Sequence, residues 1–147
     1  MKLITFARWE IECDSAITRA LYTELQSGAP EACGCAPCRN FAAARQEVYP
    51  TDVMRLFDQL GIAHNREAEV YHTHRLVPGR HRYGGWFHFV GRIVSGSDAA
   101  KQITIKGKQV EAWSFDLEKV GAEFEVGFTQ RIGLLRESFE GRPVVQL

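Results

Sequence analysis

In the first 60 residues, apolar side chains recur mainly with the spacing of an α-helix. Because apolar residues three and four apart share one helical face, this spacing predicts three helices. The predicted helices cover residues 16–26, 37–48 and 51–60. The last has the clearest apolar face, and Gly61 follows it as a C-cap. A strand is predicted before them over residues 3–13, where polar and apolar residues alternate.

After Leu60, the apolar period changes from helical to two, which is typical of strands with one buried face. The predicted strands cover residues 68–77, 83–94, 102–105, 111–117, 122–129 and 143–146. Pro78 and Gly79 indicate a tight turn between the first two of these strands. Helices followed by a run of strands predict an α+β fold in one domain, residues 1–147, with a curved antiparallel sheet of about six strands and two or three helices.

The balance of charge and the shortness of the apolar runs argue against several classes of protein. The 147 residues carry 18 basic and 18 acidic side chains, so a general nucleic-acid-binding surface is not expected. Four arginines gather between residues 75 and 92, but Glu67 and Glu69 lie beside them, which suggests a solvated face of mixed charge. No apolar run reaches about 18 residues, and the N-terminus does not resemble a signal peptide, so we expect a cytoplasmic protein without a membrane partner.

Three of the four cysteines lie within six residues, as Cys33-x-Cys35-x2-Cys38. In a reducing compartment, such clustered thiols are more typical of metal ligands than of disulfides. Zinc takes four tetrahedral Cys or His ligands, and Cys13 would complete a four-cysteine site. A histidine would serve equally well as the fourth ligand, and the candidates are His72, His74, His81 and His88.

Two other interpretations of the cysteines stay open. Cys35 and Cys38 form a C-x-x-C motif at a predicted helix start, where the helix dipole stabilises a thiolate. This arrangement would suit a thiol or redox enzyme, although no strand leads into the motif as in thioredoxin-like proteins. Alternatively, the cysteines are inert thiols that fill space near the helix.

The histidines suggest a different site. If Pro78 and Gly79 form a two-residue turn, then His72, His74 and His81 share one face of a hairpin. Three such imidazoles could hold a catalytic metal, as in a hydrolase or lyase. A bulge would break the set, and a half-buried face of hydrogen-bonded rings is the alternative.

Gly84 and Gly85 precede Trp86 inside a predicted strand. Strand glycines leave room for close approach by a backbone, an aromatic ring or a ligand. The region around Trp86 could therefore bind a small molecule or a protein partner, or it could simply pack in the core.

Two segments carry a resemblance. Cys-Gly-Cys-x-x-Cys-Arg-Asn-Phe, from residue 33, and Tyr-Gly-Gly-Trp-Phe-His-Phe-Val-Gly, from residue 83, resemble a small family of uncharacterised bacterial proteins. The resemblance covers residues 33–91 and implies a bacterial cytoplasmic protein, without an activity or cofactor.

Together, the patterns favour a small zinc-binding domain with a small-molecule or protein partner. A metal enzyme, a thiol enzyme and an interaction domain without metal are the other possibilities.

Overall fold

The computed structural model describes residues 1–147 and confirms the α+β class. The helices are α1 Ser15–Glu24, α2 Ala29–Cys33, α3 Ala36–Val48 and α4 Thr51–Leu60, with a short 3-10 helix at Glu137–Phe139. The strands are β1 Lys2–Phe6, β2 Trp9–Cys13, β3 Glu69–Arg75, β4 His81–Trp86, β5 His88–Ser95, β6 Ala100–Ile105, β7 Lys108–Phe115, β8 Glu118–Val120, β9 Phe124–Val126 and β10 Val144–Gln146. None of these helices combines the length and the apolar composition that a membrane-spanning helix requires.

The strands form four sheets rather than one sheet of about six strands. The largest is antiparallel, in the order β1-β2-β5-β10, and three separate hairpins pair β3 with β4, β6 with β7 and β8 with β9. The predicted strand 83–94 divides at Phe87, which is buried in the core. Its first part pairs with β3, and its second part pairs with β2 and β10. The apolar residues Trp86, Phe87, Phe89 and Val90 run through this point without a turn signal, so the sequence pattern does not reveal the change of partner.

The predicted strand 3–13 is a hairpin. Phe6 pairs with Trp9, and Ala7 takes a left-handed conformation with φ of 50° in the turn between β1 and β2. Alanine rarely adopts positive φ, so the sequence carries no ordinary turn signal at this point. The alternation within β2 is as predicted, because Trp9, Ile11 and Cys13 are all fully buried.

Helices α1 and α4 pack together, and α1 lies against β5 of the central sheet. The Tyr22 hydroxyl on α1 donates a hydrogen bond to the His88 carbonyl at 2.8 Å, and Thr18 Oγ1 accepts one from the Val90 amide at 3.0 Å. On α4, the Phe57 ring lies 4.7 Å from the Phe87 ring, measured between centroids. The core therefore lies between this sheet and the two helices.

Candidate metal centre

The three clustered cysteines converge at the corner between α2 and α3. Cys33 is the last residue of α2, Cys35 is the N-cap of α3, and Cys38 is the third residue of α3. Their Sγ atoms lie within 4.8 Å of one another. The sequence analysis did not predict the short helix α2. The corner between two helices brings all three thiols to one place.

The backbone explains why the sulfurs meet. Gly34 is left-handed, with φ of 68°, and its amide donates a hydrogen bond to the Pro30 carbonyl at 3.0 Å, which ends α2. The chain then reverses directly into α3. An N-cap side chain lies above the third residue of its helix, which is the geometry of a capping box, so Cys35 faces Cys38.

The three thiols differ in exposure, and Cys35 and Cys38 also differ in acidity. Cys33 and Cys35 are exposed, whereas Cys38 is 7% exposed. The pKa of Cys38 is raised to about 12, mainly by burial. The neighbouring thiols of Cys35 and Cys33 raise this pKa further. The pKa of Cys35 is lowered, mainly by the backbone amide of Cys38 and then by the thiols of Cys33 and Cys38. Cys35 is therefore the more readily ionised of this pair.

An ion-pair network holds the two helices of this corner together. Arg45 on α3 donates from Nε and Nη2 to the Glu67 carboxylate at 2.8 and 3.0 Å. The same guanidinium donates to Glu31 on α2 at 2.5 and 3.0 Å. The Tyr49 hydroxyl donates a further hydrogen bond to Glu67 at 3.1 Å. Charge-assisted, bidentate contacts of this kind fix orientation as well as distance, so the network positions α2 against α3.

The sequence did not reveal this network. Glu67 was expected on a solvated face, but it is only 1% exposed and Arg45 only 8%. Glu31, Arg45 and Glu67 lie 14 and 22 residues apart along the chain, far beyond the spacing of contacts within one helix. A short-range pattern carries no signal for such a contact.

Cys13 does not join the other three cysteines. It ends β2, an interior strand of the central sheet, and its thiol is fully buried in the core. Its Sγ lies 3.9 Å from the Gln59 carbonyl on α4. The alternation of β2 turns Cys13 to the same side as Trp9 and Ile11, which explains why it faces the core. The expected four-cysteine set is therefore not assembled.

Only two of the three predicted hairpin histidines meet. His72 pairs with Tyr83, but a bulge follows, and His74 pairs with Arg82. An inserted residue turns the following side chain to the other face, so the bulge separates His74 from His72. His72 Nε2 lies 2.9 Å from His81 Nδ1. The three-imidazole set that would suit a catalytic metal is therefore not formed.

His88, another candidate fourth ligand, lies apart from both groups. It is 1% exposed in β5, and its Nε2 lies 3.1 Å from Gln146 Oε1. Its Nδ1 is buried without a hydrogen-bond partner. Burial is the main cause that lowers the pKa of His88. This imidazole is a neutral member of the core rather than part of an accessible site.

Tyr83 joins the histidine hairpin to the cysteine helix. Its hydroxyl donates to the Pro37 carbonyl at 2.9 Å and accepts from the Asn40 side-chain amide at 2.8 Å. The Tyr83 ring packs on the Phe41 ring, with centroids 5.3 Å apart. It also packs on the His72 ring, whose centroid lies 5.3 Å away. The first turns of α3 therefore contact β4 directly.

The two strand glycines leave room for the chain itself. A Cβ on Gly84 would lie 2.4 Å from the Tyr71 ring, and one on Gly85 would lie 2.4 Å from the Glu69 carbonyl. Trp86 Nε1 donates to the Gly133 carbonyl at 3.1 Å. The space that was a candidate ligand pocket is filled by an aromatic ring and a neighbouring backbone.

Comparison with known proteins adds no relative. No family model matches the chain, and neither the curated proteins nor the solved structures give a significant match. Any function assigned to this protein must therefore be argued from its own residues.

The clustered thiols of Cys33, Cys35 and Cys38 determine which metals the corner would favour. Thiols are soft ligands that favour zinc, Cu⁺ or iron–sulfur clusters over hard cations such as Mg²⁺.

Proposed function

We propose that this protein is a small metal-binding domain in which Cys33, Cys35 and Cys38 hold a zinc ion. The observation that carries the proposal is the convergence of three sulfurs within 4.8 Å. Tetrahedral zinc with Zn–S bonds of about 2.3 Å needs sulfurs about 3.8 Å apart. Small rotations about χ1 would bring the thiols to that separation without moving the helices.

The role of the zinc is structural in this proposal. A zinc ion at the corner would join the last residue of α2 to the first turn of α3. The network of Arg45, Glu31 and Glu67 already fixes the same two helices from inside the protein. The metal would add a second constraint at the exposed end, and because it binds only the assembled corner, it would stabilise the folded chain.

The fourth ligand comes from outside this cluster in our proposal. Cys33 and Cys35 are exposed, so the metal would face solvent on one side. A water molecule, or a carboxylate, imidazole or thiol of a small molecule or protein partner, would complete the tetrahedron. The proposal includes a reducing setting such as the cytoplasm, because the ligands must remain thiolates.

A second candidate function is thiol–disulfide exchange, favoured by the contrast between exposed Cys35 and buried Cys38. The Cys35 thiolate would attack a substrate disulfide and release one thiol. Cys38 would then attack the mixed disulfide, release the second thiol and leave a Cys35–Cys38 disulfide. The substrate is reduced by two electrons and the protein dithiol is oxidised by two.

Metal analysis of untagged protein, purified under reducing conditions, tests the zinc proposal. We expect about one zinc per chain, and Co²⁺ substitution should give the thiolate charge-transfer and visible bands of a tetrahedral site. Replacing Cys33, Cys35 or Cys38 individually with Ser should reduce zinc retention and the cobalt bands. The matched control is Cys13→Ala, which removes the buried thiol and should leave the metal content unchanged.

Two outcomes would contradict the zinc proposal. One is metal-free protein in which Cys33, Cys35 and Cys38 react freely and the melting temperature does not respond to zinc. The other is retention of zinc after all three cysteines of the cluster are changed. A Cys35–Cys38 disulfide that forms and is reduced reversibly with glutathione, in protein that retains no metal, would favour thiol exchange instead.

A further inference from the structure

The hairpin of β3 and β4 carries two imidazoles that face each other across the strands. His72 Nε2 lies 2.9 Å from His81 Nδ1, and the ring centroids are 5.0 Å apart. His72 is exposed and His81 half-buried, so solvent reaches the pair. We propose that His72 and His81 chelate a divalent transition-metal ion, in a site separate from the cysteine cluster.

The spacing of the two nitrogens is close to that of two imidazole ligands on one metal ion. Metal–imidazole bonds are about 2.0–2.1 Å long, so two bonds at 90° place their nitrogens about 2.9 Å apart. A tetrahedral angle would place them about 3.3 Å apart. The hydrogen-bonded separation of 2.9 Å is thus close to the separation that two imidazoles on one ion need, so little movement of the rings is required. The Irving–Williams order favours Cu²⁺ and Ni²⁺ among the candidate ions, because nitrogen ligands bind these two more tightly than most divalent ions.

The bulge in β3 creates this pair. His72 and Tyr83 are directly paired, and His81 lies two residues from Tyr83 on the same face of β4. The Tyr83 ring packs against His72 and limits the orientations of that imidazole. Tyr83 is itself held by the hydrogen bond from its hydroxyl to the Pro37 carbonyl on α3. In the metal-free chain, one nitrogen of the pair donates its hydrogen to the other. A change of tautomer in the donor ring frees both lone pairs without net loss of a proton, and rotation of the two rings would then direct them at the ion.

The charges around the pair permit a cation. Arg80 and Arg82 flank His81, but each forms a salt bridge, with Glu123 and Glu125 respectively. Arg75 is opposite His81 and is exposed, so its charge is screened by solvent. Water would fill the remaining coordination positions, because the site contains two protein ligands and faces solvent.

Titration with NiCl₂ tests the site, because Cu²⁺ would oxidise the free thiols. The full chain with Cys33→Ser and Cys35→Ser removes competition from the exposed thiols. We expect one Ni²⁺ per chain by calorimetry. Because the two ligands bind as a linked pair, His72→Ala and His81→Ala should each weaken binding by about 100-fold. His74→Ala is the matched control, since it removes a histidine of the same strand that faces away, and it should bind Ni²⁺ as before.

A measurement on the chain that carries only Cys33→Ser and Cys35→Ser covers the case in which a histidine variant does not fold. Paramagnetic Ni²⁺ should broaden the imidazole NMR signals of His72 and His81 at lower metal concentration than those of His74 and His64. Equal loss of binding in His74→Ala, or broadening of His74 before His72, would overturn the inference. These results are independent of zinc binding at the cysteine cluster, so either proposal can fail alone.

Discussion

Arg45 and Glu67 form a buried, bidentate ion pair, with guanidinium-to-carboxylate distances of 2.8 and 3.0 Å. Glu67 lies in the loop before β3, and Arg45 lies on the helix that begins at the cysteine corner. The pair therefore connects the corner to the histidine hairpin. Because the Glu67 side chain is almost fully buried, the interaction is shielded from solvent.

Glu67→Gln is expected to destabilise the protein strongly. The substitution keeps the size of the side chain but removes one of the two carboxylates that neutralise the mostly buried guanidinium of Arg45, so that Glu31 remains its only charged partner. Breaking a buried ion pair from one side costs about 3–5 kcal/mol. Urea unfolding monitored by circular dichroism measures the change. Glu123→Gln is the matched control, because it breaks the exposed pair with Arg80 and should barely move the unfolding midpoint. Equal changes in unfolding midpoint for the two variants would contradict the conclusion that the buried Glu67–Arg45 pair stabilises the fold more than the exposed Glu123–Arg80 pair does.

Stability is expected to fall as the pH is lowered through the usual pKa of histidine, because of His88. Burial lowers the pKa of His88 in the folded protein, whereas in the unfolded chain it titrates near 6.5. The unfolded chain therefore binds more protons below about pH 6.5, and stability is retained above that value and lost below it.

The measurement compares unfolding midpoints at pH 7.5 and 5.5 in the parent protein and in His88→Gln. The variant should show a smaller difference between the two pH values, whatever its absolute stability. Carboxylates titrate mostly below this window, near pH 4, so they contribute little to the comparison. Identical pH dependence in both proteins would show that His88 does not govern the effect.

Gly34→Ala is expected to destabilise the cysteine corner through the backbone alone. Gly34 has a φ of 68°, and a Cβ there would meet no atom within 4 Å. A left-handed conformation costs a residue with a Cβ about 1–2 kcal/mol. Gly34→Asn should cost less, because asparagine adopts this conformation more readily. Chemical unfolding ranks the two variants, and an alanine variant as stable as the asparagine one would contradict this explanation.

Gly85→Ala is expected to lower the melting temperature more than Gly84→Ala. At Gly85 the new methyl group would meet the Glu69 carbonyl, and the backbone of β3 cannot move away without breaking the hairpin. At Gly84 it would meet the end of the Tyr71 side chain, which is 49% exposed and can rotate into solvent. Thermal melting of the two single variants decides the order, and the reverse order would show that Tyr71 holds the hairpin more firmly than its exposure suggests.

Local patterns in the sequence predicted much of the secondary structure. The apolar stripe of residues 51–60 gave the bounds of α4 correctly, because a helix face depends on neighbours three and four residues away. The clustering of Cys33, Cys35 and Cys38 was likewise visible, since they lie within one tight reversal of the chain. Turns without glycine, such as the one at Ala7, were missed, and a continuous strand was predicted instead of a hairpin.

Only the tertiary structure decided which side chains meet across long distances. Cys13 could have faced the cluster or the core, and its position on an interior strand placed it in the core. His74 was separated from His72 by one inserted residue, which no periodicity shows. Glu67 is buried as the ion-pair partner of Arg45, which lies 22 residues earlier in the chain. The sequence by itself determined three of the four α-helices, most strands and the clustering of Cys33, Cys35 and Cys38, because these depend on neighbouring residues. The partners of Cys13, His72 and Glu67 depend on how separate elements pack, because burial and long-range hydrogen bonds are settled only when the whole chain folds.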